Sequence, residues 1–356
     1  MTTERQFPQN AWPTQSPADA GFDAVKLKAT ADWFDQTAAS PYRVGILRGG
    51  HLIAVWHKGV DLEAKRGIGS GQKTLYGCML GIAVAEGQIA SADDRVTDYF
   101  PEMMEATKGH GPRPDRYVIP EDRDITFRQL ITNTSGYLKP DERPGSAFNY
   151  QTFGMNLLTH AIEKVYGCYD ATGKTMPPGF GTLVQQKIAG LIGAQMRYSI
   201  HNFALPPEAR VDIFGNGPQI HGSLQDWLRV AYLWLNMGVW EGVQVIPRAW
   251  LEQGTRTADS VKACSPEEDW CYGYAFWTND YDKRWPGLPK DAYSASGAGY
   301  NFVWVCPSLD LIVVQNPGGG RYVGPVTADP TEREQRTKDQ YQRELEVLKR
   351  IVEACV

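Results

Sequence analysis

Ser70 and Lys73 stand three residues apart in the octapeptide GIGSGQKT, residues 67 to 74. On a helix this spacing puts both side chains on one face, one turn from each other and within hydrogen-bonding reach. A serine hydroxyl is a poor nucleophile until a neighbour takes its proton. A lysine can take it when burial or other cations hold down its ammonium pKa. A helix start also offers free backbone N–H groups at the positive end of the dipole, where an oxyanion can be received. The chemistry to expect is attack by Ser70 on an ester or amide carbonyl. Two plainer readings compete. A phosphate loop needs glycine directly before the lysine and an apolar parallel strand upstream. Gln72 occupies that glycine position, and the upstream DLEAKRGI is charged. A serine before a helical run is also commonly an N-cap, so the surrounding sequence has to decide.

Other chemistries find little support. The six histidines form no H-E-x-x-H or comparable spacing, so no metal is expected, and no cofactor is called for. Ile68 and Gln72 stand where a G-x-S-x-G elbow around Ser70 would need glycines. The six cysteines are scattered and read as reduced thiols, with Cys264 and Cys271 the pair that an oxidising setting would bridge. A net charge of -5 without a long basic run argues against nucleic acid and anionic membranes as partners. No segment reaches ~18 uninterrupted apolar residues, and the N-terminus lacks the apolar core of a signal peptide. A cytoplasmic location is the expectation.

A chain of 356 residues with 42% hydrophobic content can build one large domain or two closely packed ones. The run YRVGILRGGHLIAVWHKG reads as a hairpin turning at Gly49 and Gly50. NFVWVCPSLDLIVVQN reads as a second hairpin turning between Pro307 and Asp310, and WCYGYAFWTN as a further β-rich run. Between these ends the pattern becomes helical, at residues 74–89 and then in TFRQLITNTSG, QTFGMNLLTHAIEKVYG, TLVQQKIAGLIG and LQDWLRVAYLWLNMG. Residues 24–38 form an amphipathic helix, and a closing helix aligns Tyr341, Leu345, Leu348 and Val352 on one stripe. The expected fold is α/β (α+β): an antiparallel sheet flanked by helices, with an inserted mainly helical region. The sheet part takes residues 1–72 and 256–356, the helical part 73–255, and a site should form in the seam.

With Ser70-Gly-Gln-Lys73 and its following helix as the first cue, the chain resembles the serine β-lactamase and penicillin-binding-protein superfamily, especially its class C-like esterases, amidases and D-aminopeptidases. ITNTSG at 131–136 looks like that family's L-L-x-H-T-S-G segment. RPGSAFNYQT at 143–152 is similar to P-G-x-x-F-x-Y-x-N, GVWEGVQVIPRAWLE resembles a further family segment, and ASGAGYNFVWVCPSLDLIVV resembles the strand pair carrying the third motif. The resemblance implies a β-lactamase/transpeptidase-like fold in which Ser70 carries the acyl group while Lys73 and Tyr150 move its proton. It also implies an oxyanion hole from the N–H groups of Ser70 and Ala298.

Two departures bear on the substrate. Thr152 stands where the family usually has asparagine, and Ala295-Ser296-Gly297 stands where the lactamases have K-T-G. Without that lysine a substrate carboxylate loses its partner, which points to neutral substrates. Thr152, Tyr137, His221, Ser296, Gly297, Tyr300 and Asn301 are the candidates for contact with substrate. The function to expect is a carboxylesterase on small esters. An amidase or D-aminopeptidase, a β-lactamase-like hydrolase, and a non-catalytic binder of the same fold are the alternatives. The partner is a small-molecule ester or amide; oligomeric state is not encoded in these patterns.

Overall fold

The computed structural model describes residues 5–320 and 330–356. After α1 (Ala24–Thr37) come β1 (Tyr42–Arg48), β2 (His51–Lys58) and the short β3 (Arg66–Gly67). A tight 3-10 turn over Gly69–Gln72 then runs into α2 (Lys73–Ala85). The middle of the chain holds α3 (Phe127–Ile131), α4 (Phe153–Val165), α5 (Gly179–Val184), β4 (Arg197–His201), α6 (Val211–Phe214), β5 (Gly217–Gly222) and α7 (Leu224–Leu235). It closes with the two-residue strands β6 (Val239–Trp240) and β7 (Val243–Gln244), then α8 (Arg248–Gly254) and α9 (Asp259–Cys264). Last come β8 (Trp277–Thr278), β9 (Tyr293–Gly297), β10 (Asn301–Cys306), β11 (Leu311–Gly318) and α10 (Pro330–Glu353).

Strands from both chain ends make one antiparallel sheet in the order β2-β1-β11-β10-β9-β8. The two expected hairpins form it. Gly49 and Gly50 both have positive φ, 58° and 79°, as a two-residue turn matched to strand twist requires. The second hairpin turns through Pro307–Leu309 and closes on Asp310 at φ 47°. Alternation along β10 sends Phe302, Trp304 and Cys306 to one face, where they meet Phe34 of α1 and Leu348 and Ile351 of α10. Val303 and Val305 point to the other face, into the core shared with α2, α4 and α7. At about 25 cal/mol per Å² of apolar surface, these two cores supply most of the drive to fold.

Three expectations needed adjustment. The run at 270–279 yields only the two residues of β8, because Ala275 at φ 61° breaks the extended path. On α10 the most deeply buried stripe is Val347, Leu348 and Ile351, with Leu345 and Val352 at its margin. The helix α7 lies in the middle of the sequence yet packs directly on the sheet: Leu224 touches Gly45 of β1, and Tyr293 of β9 donates to the carbonyl of Trp234. All six cysteines, Cys264 and Cys271 included, are free thiols.

Candidate active site

The Ser70 turn is gripped from two sides. Upstream, β3 pairs with β5, placing Gly67 opposite His221. Downstream, the Gln72 side chain acts like a strand edge: its Nε2 donates to Pro218 O at 2.6 Å, and its Oε1 accepts from Ile220 N at 2.9 Å. Tyr76, one turn further along α2, donates to the same Pro218 carbonyl. The residue that breaks the phosphate-loop pattern therefore pins the turn to β5. On the opposite side β9 presses against the turn. A Cβ on Gly297 would lie 1.9 Å from Ile68 O, so only glycine permits this approach. Gly69, at φ 60°, has the Ala298 N beside it.

Lys73 opens α2 and is buried, with 4% of its surface exposed. Its Nζ lies 3.0 Å from Ser70 Oγ, 2.9 Å from Tyr150 OH and 3.1 Å from Thr152 Oγ1. No carboxylate among the described residues pairs with it. As an ammonium it has one hydroxyl acceptor for each proton; as an amine it offers a lone pair to the serine. Nζ also sits 4.6 Å from the centroid of the Tyr150 ring. The structure thus brings Ser70, Lys73, Tyr150 and Thr152 together although 77 residues separate the lysine from the tyrosine.

Tyr150 is fixed by its neighbours in sequence. The N–H of Asn149 donates to Asn133 O and that of Gln151 to Asn133 Oδ1, both at 2.9 Å. Asn133 can turn both acceptors to the one irregular segment before α4 because it adopts φ 56°, a left-handed conformation that asparagine tolerates. Its Nδ2 donates to Tyr272 OH. The Tyr150 ring stacks on Trp277 of β8, centroids 5.6 Å apart and planes 28° from parallel, and meets Tyr272 edge-on. Burial holds the Tyr272 hydroxyl well above the ordinary phenol range, so it serves as a neutral wall.

Neither Ser70 N–H nor Ala298 N–H donates to an acceptor among the described residues. Ser70 lies in the first turn of a helical segment, where such groups are left free. The other sequence candidates fall in different places. Tyr137 is fully buried and donates to Met103 O, so it belongs to the core and not to a pocket wall. His221 is half-buried; its Nε2 is 3.0 Å from Ser199 Oγ, not paired with Ser70, and burial followed by Arg197 lowers its pKa below 6.5. Ser296 faces away from Ser70, its Oγ donating to Glu344 Oε1 of α10 at 3.0 Å. Tyr300 holds the hairpin turn at φ 63°, with Arg343 packed near its ring. Asn301 donates to Ala298 O and accepts from Asn316 Nδ2, which makes it a brace. Of these, Gly297 and Thr152 adjoin the Ser70–Lys73 pair. Gln72, Asn133 and Trp277 were not singled out as site residues from sequence. Asn133 lies in ITNTSG, which resembles a family segment, Gln72 lies within the Ser70–Lys73 cue itself, and Trp277 lies only in the β-rich run WCYGYAFWTN.

No cluster of three His, Cys, Asp or Glu able to hold a metal occurs among the described residues. The model of the Beta-lactamase family matches residues 37–315, a span that contains the whole constellation. The chain belongs to the beta-lactamase family. Solved structures agree on the fold. A family VIII carboxylesterase superposes with a TM-score of 0.58 at 17% identity, covering 90% of this chain and 97% of that one. EstCE1, a hydrolase with promiscuous acyltransferase activity, gives 0.59 at 14%, covering 82% and 92%. A beta-lactamase from Mycobacterium bovis gives 0.57 at 14%, covering 92% and 100%. At these identities the likeness of this beta-lactamase-family chain to each is one of fold. No curated protein is significantly similar in sequence.

Proposed function

We propose that the protein is a serine hydrolase that forms an acyl-enzyme on Ser70 and acts as a carboxylesterase on small, uncharged esters. The observation that carries this reading is the position of Lys73 Nζ, within 3.0 Å of the Ser70 hydroxyl and 2.9 Å of the Tyr150 hydroxyl in a buried setting. In the first step Ser70 Oγ attacks the carbonyl carbon as its proton passes to Lys73. The carbonyl oxygen becomes an oxyanion between the N–H groups of Ser70 and Ala298. Tyr150, reached through Lys73, supplies a proton to the departing alcohol. In the second step the same relay runs in reverse: water gives up its proton to the Lys73–Tyr150 pair and attacks the acyl carbon, and Ser70 leaves with its proton restored.

The ester preference follows from what the third motif lacks. Ala295 contributes a methyl group where a cation would recognise a carboxylate, and Thr152 offers a short hydroxyl already engaged by Lys73. Turnover of p-nitrophenyl acetate and butyrate against the matched anilides tests this. Faster release from the esters supports the reading. Anilide turnover at equal or higher kcat/KM would make the protein an amidase instead, and no turnover of either with no covalent labelling would make it a binder.

A further inference from the structure

We infer that Gln340 of the C-terminal helix is a positioning residue for the oxyanion hole. This rests on the acyl-enzyme reading above. Gln340 Nε2 donates to Gly297 O at 3.0 Å. That carbonyl belongs to the peptide unit whose N–H is that of Ala298, and in a planar trans peptide the C=O and N–H point in opposite directions. A donor fixed on the carbonyl side therefore aims the N–H to the other side, where Gly69 and the Ser70 turn lie. The same hydrogen bond polarises the peptide and makes its N–H a stronger donor.

The helix grips this strand at two successive residues. Four positions after Gln340, Glu344 accepts from Ser296 Oγ at 3.0 Å, and the i,i+4 spacing puts both helix side chains on one face. Glu344 is itself locked by Trp285 Nε1 at 3.1 Å and Arg284 Nη2 at 3.2 Å. Ser296, whose hydroxyl is turned toward α10, thus serves as an anchor point, and Gly297 is aligned by its carbonyl. Ala295 has no polar side chain with which to fix the strand from the Ser70 side. Besides the β9–β10 pairing of Gly297 with Asn301, the 297–298 peptide is held from behind by a helix residue 43 positions away in sequence.

The test compares the wild type with Gln340→Met, which keeps length and loses the donor, and Gln340→Glu, which sets an acceptor against Gly297 O. With p-nitrophenyl butyrate, Gln340→Met should lower kcat about tenfold, a fraction of the loss for deleting an oxyanion donor. KM should stay within about twofold, and a boronic acid inhibitor, which mimics the tetrahedral adduct, should weaken by the same factor as kcat. Gln340→Glu should regain activity relative to wild type as pH falls through the carboxyl range and the side chain becomes a donor. Wild-type kcat in Gln340→Met, or a loss in Gln340→Glu that is independent of pH, overturns the inference. Ser70→Ala run alongside separates the two claims. Turnover without Ser70 defeats the acyl-enzyme reading, whereas an inactive Ser70→Ala beside a fully active Gln340→Met defeats only the role of Gln340.

Discussion

Gly297→Ala should leave a folded protein with a disabled site. An added Cβ would lie 1.9 Å from Ile68 O and 3.0 Å from both Ser70 N and Gly71 N, where real Cβ contacts are not shorter than 3.0 Å. The obstructing atoms are backbone, so β9 and the Ser70 turn must part by about 1 Å, a displacement that costs on the order of 100-fold when it falls on reacting groups. The N–H groups of Ser70 and Ala298, the proposed oxyanion donors, sit on the two segments being separated. A fall in kcat of at least ~100-fold, about 2.7 kcal/mol in activation free energy, is therefore expected. Overpacking should cost stability about 1–3 kcal/mol. Gly71→Ala is the control, since its closest new contact is the Ile68 side chain at 3.2 Å, which can yield. Steady-state kinetics on a p-nitrophenyl ester, with thermal melting to show folding, decide it. A folded Gly297→Ala with kcat within threefold of wild type would refute the argument that this close approach builds the hole.

Lys73→Ala and Tyr150→Phe should each lower kcat by two or more orders of magnitude with the fold intact by circular dichroism, as losses of proton-transfer partners do. Arg43→Met should cost about 3 kcal/mol in urea unfolding. The buried guanidinium donates to the carbonyls of Asp61, Leu62, Ala64 and Asn316, and methionine would leave them unpaired. Asp122 is fully buried, and burial pushes its carboxyl up to about 7 from the ordinary 3.8. The folded state then holds a proton that the unfolded chain has released, so this contribution to stability is complete below about pH 4 and fades as pH rises toward 7. Asp122→Asn should accordingly gain on wild type in melting temperature between about pH 5 and about pH 8, and a constant difference across that range would contradict the assignment.

What could be read from the sequence was set by distance along the chain. Ser70 and Lys73 declare themselves because a single helical turn joins them, and the hairpins at Gly49-Gly50 and Pro307–Asp310 because their turns are local. Tyr150 carries no local mark; only the resemblance of its surrounding motif ties it to Lys73. The clamp made by Asn133 depends on a left-handed backbone that no spacing rule announces. Gln340 sits among polar residues of an amphipathic helix, where its bond to Gly297 across 43 residues has no trace in periodicity. Tyr137 follows one matching segment and Ser296 lies within another, yet their hydroxyls turn toward Met103 and Glu344, because side-chain direction within a motif is decided by the packing of elements distant in sequence.

The most direct measurement is intact mass followed by peptide mapping after treatment with a fluorophosphonate. A serine activated by a buried lysine should take one phosphonyl group per chain, on the peptide containing Ser70, and Ser70→Ala should take none. Labelling of another residue, or none on a folded wild-type protein that still hydrolyses esters, would contradict the account.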